Sequence, residues 1–308
     1  MADTGGPGFG WPATTVQPVR RTINFVGRFL FTGGLLLLLF VAYQLWGTGF
    51  YERQQQDNLR STFDNSVVEV RQARQPVSGT TTTTAPLPPP PEGEPIGVIR
   101  IPKIGLERVL VQGVTVPDLR KGPGHYPDSP MPGQIGNAAI AGHRTTYGQP
   151  FNRIDELVPG DTISVETLSG TFKYSVTGQL VVSPRDVQVL DPTPGATLTL
   201  TTCHPKYSAN QRLIVTASLD LERSPKPVVP RRGAVKTRGP SIADVTGKPE
   251  SRTPVIWSGL LTAALGGLWW FGFHRRKRWY VWFIGAVPFL ATYALFCFYV
   301  ERILPPGF

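Results

Sequence analysis

Three runs of the chain are apolar and free of charge, at 29–46, 255–273 and 279–300. Each is long enough to cross a bilayer core of about 30 Å as a helix. Between the first and second runs the pattern changes to short stretches of period two. The clearest is Thr197-Leu198-Thr199-Leu200-Thr201-Thr202-Cys203, in which apolar and hydroxyl residues alternate as on a strand with one buried face. Leu198 and Leu200 then face the core, and Thr199, Thr201 and Cys203 face away from it. Pro205 cannot donate to a ladder and ends the strand. A second alternating run at 212–219 follows after a short loop, which predicts an antiparallel pair with Cys203 beside Arg212. Further strands are predicted at 97–101, 108–113, 137–142, 162–167, 172–182 and 187–190. Turn signals such as Val158-Pro159-Gly160-Asp161 separate them. The pattern is that of an all-β, closed or nearly closed architecture. Two helical features stand apart: a helical turn within 153–158, and a juxtamembrane helix at 51–75 that places Leu59, Phe63 and Val67 at four-residue spacing.

Composition sets the boundaries. The 31 prolines and 33 glycines are concentrated in linkers and tails. A disordered amino terminus is expected at 1–23, an uncleaved transmembrane signal anchor at 24–51, and a juxtamembrane segment with a Thr/Pro-rich stalk at 52–95. One globular domain is expected at 96–222, followed by a basic Pro-rich linker at 223–254. Membrane helices at 255–273 and 279–300 flank a basic loop at 274–278, and a short tail occupies 301–308. Arg20, Arg21 and Arg28 precede the first apolar run, and His274-Arg275-Arg276-Lys277-Arg278 joins the last two. By the positive-inside rule both segments lie in the cytoplasm, so the globular domain is extracytoplasmic and the protein is a multi-pass protein of the cell membrane.

The net charge of +10 raises the question of nucleic acid. Within 96–222, however, 11 basic residues balance 11 acidic ones, so the excess lies in the flanks. Basic flanks beside apolar runs fit a membrane surface, and the domain offers no basic patch for a phosphate backbone. Cys297 falls inside an apolar run and reads as an inert small hydrophobe. Cys203 is then the lone thiol of the soluble domain, which marks it as a reactive group. An Arg212 guanidinium beside it favours the thiolate and can stabilise an oxyanion. A nucleophile needs a proton carrier. His204 points to the opposite face of the strand from Cys203, and His125 sits in a turn-rich loop with no strand to position it. His143 ends the small-residue strand Asn137-Ala138-Ala139-Ile140-Ala141-Gly142. On these grounds alone His143 stays open between a structural and a catalytic role. Asp155, Glu156 and Asp161 read as solvated acids in a surface turn, so no metal site is expected.

These residues resemble the sortases, membrane-anchored cysteine transpeptidases of Gram-positive bacteria. The resemblance rests on Thr199-Leu200-Thr201-Thr202-Cys203, on Asn137 to Arg144, on Gln211-Arg212-Leu213-Ile214-Val215, on 96–106 and on 122–127, in family order. Cys203-His204-Pro205-Lys206-Tyr207 makes it most similar to actinobacterial class E sortases. The resemblance implies an eight-stranded β-barrel, with Cys203 as nucleophile, His143 as acid/base and Arg212 supporting substrate and oxyanion. Thr202 and Tyr207 are candidate substrate contacts. Thr202 is equally open to a core-facing role, and Tyr207 to packing its loop. The implied reaction cleaves a carboxy-terminal Leu-Pro-x-Thr-Gly or Leu-Ala-x-Thr-Gly signal between Thr and Gly through a thioester. The secreted protein carrying that signal is then transferred to a cell-wall amine, from a peptidoglycan precursor or a pilin. It requires no metal or organic cofactor. Hydrolysis of the same signal by a cysteine endopeptidase, or binding of wall peptides without turnover, stays open at this point. The carboxy-terminal pair of apolar runs departs from the single anchor of many family members.

Overall fold

The computed structural model describes residues 16–73, 88–229, 251–276 and 279–303. Residues 1–15 of the amino terminus, 74–87 of the stalk, 230–250 of the basic linker, Lys277 and Arg278 of the basic loop, and the last five residues lie outside them. The chain divides into two compact units, Met1–Gln44 and Leu45–Phe308. The described part of the first is helical, α1 (Val16–Ala42) leading into a π-helical turn at Tyr43–Gly47. Everything below concerns the second.

There α2 (Thr48–Ala73) precedes eight strands: β1 (Pro95–Ile101), β2 (Leu106–Gln112), β3 (Gly124–His125), β4 (Gly136–Ala141), β5 (Thr162–Thr167), β6 (Gly170–Val182), β7 (Ala196–His204) and β8 (Gln211–Leu219). A single helical turn, α3 (Val116–Leu119), lies between β2 and β3. The strands close into a barrel in the order β1-β2-β3-β4-β7-β8-β6-β5. Eight strands form, but two differ from the sequence expectation. Residues 187–190 are a 3-10 turn rather than a strand. The missing member is β3, in a stretch read as loop because two residues are too few to show any period. β3 pairs parallel with β2 and antiparallel with β4, bridging the gap between them.

Period two explains where the core sits. Leu198, Leu200, Leu213, Val215 and Ala217 point inward with Ile99, Leu110, Ile140, Ile163, Phe172 and Tyr174, all buried. In β5 every second residue is buried and its neighbours are half-exposed, as expected of a sheet with one wet face. β1 and β4 are buried on both faces because the barrel is covered outside. Over β1 and β2, Leu59 and Phe63 of α2 pack on Val98, Val109 and Val111, with Val67 partly buried beside them. The four-residue spacing thus marks a helix face docked on the barrel. Burying Phe63 and Leu59 stabilises this docking by about 2 kcal/mol each. Over β4, Val114, Leu119, Tyr126 and Leu190 cover Ala139 and Ala141. Asn137 fastens this second cover: its amide donates to the carbonyls of Val189 and Asp191 and its oxygen accepts from Thr199 Oγ1 at 2.7 Å. The outer face of β7 is therefore not solvent-facing as the alternation suggested, since Thr199 and Thr201 are as buried as the leucines.

After the barrel come α4 (Thr253–Arg276) and α5 (Trp279–Ile303), which pack on each other. Phe296 and Phe289 rest on Gly259 and Gly266, and Cys297 is buried. Small residues under aromatic rings are the pattern of helices that associate without water. Residues 22–42 and 253–273 are long and apolar enough to cross a membrane, while the described apolar stretch of α5 is shorter, 284–300.

Candidate active site

β7 is the central strand of the site. It pairs in parallel with β4, with Ala141 opposite Thr201, and antiparallel with β8, with Cys203 opposite Arg212. His143 lies just beyond the end of β4, so three strand ends deliver Cys203, His143 and Arg212 to one pocket. That pocket, of about 50 Å³, is also lined by Val116, Leu119, Tyr126, Gly142, Thr201 and Thr202.

The turn into His143 is fixed by backbone and by volume. Gly142 N–H donates to the Thr201 carbonyl and its own carbonyl accepts from Thr202 Oγ1 at 2.8 Å. A Cβ on Gly142 would lie 2.6 Å from the Phe151 ring, so only glycine fits there. The Phe151 N–H in turn donates to the His143 carbonyl at 3.1 Å. Thr202 is buried and its hydroxyl is spent on this turn, while its side chain still lines the pocket. Its position therefore braces His143.

The imidazole of His143 lies against the Tyr147 ring, with centroids 5.1 Å apart. Its Nε2 is buried and makes no hydrogen bond among the described residues. Burial, and then the nearby Arg120 guanidinium, push its pKa down to about 4. Cys203 is half-buried, and burial raises its thiol pKa even though Arg212 and Arg144 pull it down. Arg212 does favour the thiolate, as expected from the sequence, but desolvation outweighs the guanidinium. Both groups therefore rest neutral near pH 7.

Arg212 N–H groups donate to the Ala209 and Gln211 carbonyls, which aims the guanidinium across the strand end. No carboxylate among the described residues pairs with it, so its charge is available to a substrate oxygen.

Two buried arginines escaped the sequence reading. Arg144 donates to the Cys203 carbonyl at 3.2 Å and to His204 Nδ1 at 2.9 Å, and pairs with Asp155 at 3.0 Å. It clamps the backbone of Cys203 from behind, and His204 is engaged there rather than in the pocket. Arg120, buried beside His143, stands 5.8 Å from the Tyr147 ring. Adjacency of Arg144 to His143 was the available signal; Arg120 carried none. His125 is placed by β3 and satisfied, its Nδ1 facing Gln112 and its Nε2 facing the Pro130 carbonyl, both at 2.9 Å. Tyr207 stands 71% exposed on the β7–β8 loop, outside the pocket lining. Asp155, Glu156 and Asp161 pair with Arg144, Arg153 and Lys103 respectively. Among the described residues no group of three ligating side chains is gathered as a metal would need.

The sortase-domain family model matches residues 99–220. Sortase SrtE1 of Streptomyces coelicolor is 34% identical over 214 residues, which cover 64% of this chain and 57% of that protein. Sortase SrtE2 of the same organism is 29% identical over 247 residues, covering 73% and 94%. The crystal structure of sortase E1 from Streptomyces coelicolor with a tripeptide in its active site is 35% identical, covers 42% of this chain and 89% of its own, and gives a TM-score of 0.40. The chain thus spans little more than half the length of the first of these relatives and nearly all of the second.

Proposed function

We propose that this chain, whose residues 99–220 match the sortase-domain family model, is a cysteine transpeptidase acting on proteins that end in a Leu-Pro-x-Thr-Gly or Leu-Ala-x-Thr-Gly sorting signal. The observation that carries the reading is that Cys203, His143 and Arg212 line one pocket. Two relatives are named sortase SrtE1 and SrtE2, and the resemblance to class E is what brings the second motif into the proposal.

The Cys203 thiol transfers its proton to His143 as Sγ attacks the threonine carbonyl carbon. An S–C bond forms, and Arg212 stabilises the oxyanion. The C–N bond to glycine then breaks, and the imidazolium returns the proton to the departing amine. An incoming amine, from a peptidoglycan precursor or a pilin, attacks the thioester carbon. Its C–N bond forms, the S–C bond breaks, and the amine proton passes through His143 back to sulfur. A neutral resting pair suits this cycle because the thiolate then arises beside the substrate it attacks. The basic residues flanking the apolar runs favour a cytoplasmic amino terminus and an extracytoplasmic barrel, within reach of secreted proteins and the wall.

Mass spectrometry of the full chain in detergent, after incubation with each peptide, tests the reading. The expected result is a Cys203 adduct that retains the peptide through threonine and is released by an added amine as a ligated product. Release by water alone identifies an endopeptidase. No adduct with either peptide would leave a binding module.

A further inference from the structure

An imidazole that carries protons must be held in orientation, and a catalytic histidine is commonly oriented by a third group accepting from its second nitrogen. Among the described residues, His143 has no carboxylate in hydrogen-bond or ion-pair reach. What touches its ring is Tyr147, and the structure shows in turn what holds Tyr147. Residues 147–149 form a run with positive φ, at 49°, 71° and 49°, a conformation that Tyr and Gln adopt only when their surroundings impose it. The surroundings are the first two turns of α2. The Tyr147 N–H donates to Thr48 Oγ1 at 3.3 Å, and Tyr51 meets the Tyr147 ring edge-on with centroids 6.4 Å apart. Glu52 packs under Gly148 so closely that a Cβ there would lie 2.3 Å from its Oε2.

The helix is itself held in register. Gln56 accepts from the Val109 N–H at 2.7 Å and donates to the Val109 and Lys121 carbonyls at 3.0 and 2.9 Å. Glu52, fully buried, takes the Arg108 guanidinium at 2.8 Å. These contacts reach far beyond what is needed to tether a domain to a membrane. They lie upstream of the residues matched by the family model.

We propose that α2 is a positioning element for His143: Thr48 and Tyr51 hold Tyr147, and Tyr147 sets the plane of the imidazole. The assignment rests on His143 being the proton carrier of the proposed reaction. The charged group facing His143 is Arg120, from the segment between α3 and β3, and Tyr126, Cys203 and Arg212 are the other ionisable groups of the pocket.

Two measurements on the full chain separate this from a merely structural contact. The variants are Tyr147→Leu, Tyr147→Phe, Tyr51→Leu and Thr48→Val, each normalised to folded protein. Tyr147→Leu is expected to lower kcat roughly tenfold with KM within about twofold, as loss of orientation does. Tyr147→Phe, which keeps ring and backbone, retains wild-type kcat. Tyr51→Leu and Thr48→Val fall between them. Histidine NMR titration of the same variants supplies a readout independent of turnover: the His143 pKa moves up toward its ordinary value in Tyr147→Leu and stays depressed in Tyr147→Phe. If the wild type turns over no sorting peptide, the proposed reaction fails, and the titration still decides whether α2 governs His143. A Tyr147→Leu chain whose kcat and His143 titration both match wild type overturns the inference, as does a loss that Tyr147→Phe fails to rescue.

Discussion

At the scale of single residues, the site is defined by a competition between burial and charge. Arg212 lies directly across the ladder from Cys203 and Arg144 lies behind it, yet the thiol pKa is raised. The expected consequence is slow alkylation. At pH 7 the full chain should react with iodoacetamide more slowly than free cysteine, with a midpoint above the ordinary thiol value of about 8.5. Arg212→Ala removes one of the two opposing charges and should slow the reaction a further several-fold at pH 7. A wild-type rate at or above that of free cysteine would show that the guanidinium wins. The pairing of Cys203 with Arg212 was legible in the sequence because an alternating run, a short loop and another alternating run permit one simple register. The sign of the thiol shift was not, because desolvation depends on what covers the outer face of β7. Part of that cover is Leu119 and Tyr126, which line the Cys203 pocket from a segment far upstream.

At the scale of elements, β3 shows what a histidine does when it is purely architectural. Two residues long, β3 joins β2 to β4, and His125 fills the corner with both ring nitrogens engaged. Burial depresses its pKa to about 4, as it does for His143. An unfolded histidine takes up its proton near pH 6.5, whereas the folded one does so only near pH 4, so between these values the unfolded chain binds more protons. Stability is therefore full above about pH 6.5 and is lost as the pH falls toward 4, by roughly 3 kcal/mol for each histidine. Urea unfolding at pH 7.0 and 4.5 measures this; a midpoint unchanged at the lower pH would contradict it. The long strands were readable from their period, and α2 from its four-residue apolar spacing. β3 was not, and residues 187–190 form a turn where a strand was expected, because four residues, Val187-Gln188-Val189-Leu190, have no length by which to tell a strand from a turn.

At the scale of the molecule, the proposed extracytoplasmic placement of the barrel rests on the apolar helices and their charged flanks. A membrane-impermeant maleimide, applied for hours to allow for the slow thiol, should label Cys203 in intact cells. Cys297, buried where α4 meets α5, should stay unlabelled. Labelling of Cys203 that appears only after permeabilisation would reverse the proposed topology. Charge placement alone carries this proposed orientation. By contrast, nothing in composition announced that the helix following the first apolar run joins the barrel, because Leu59, Phe63 and Val67 in a polar stretch look the same on a free helix and on a docked one.

The parallel pairing of β4 with β7 joins segments about 60 residues apart, as the bond from Thr202 to Gly142 records. Such contacts form late, since a long loop must close before they are rewarded. Until then the emerging chain carries a thiol without its histidine and, before residue 212 has followed, without its arginine. On the proposed reaction an incompletely closed copy is therefore chemically silent, and a first turnover would report that the whole barrel has closed.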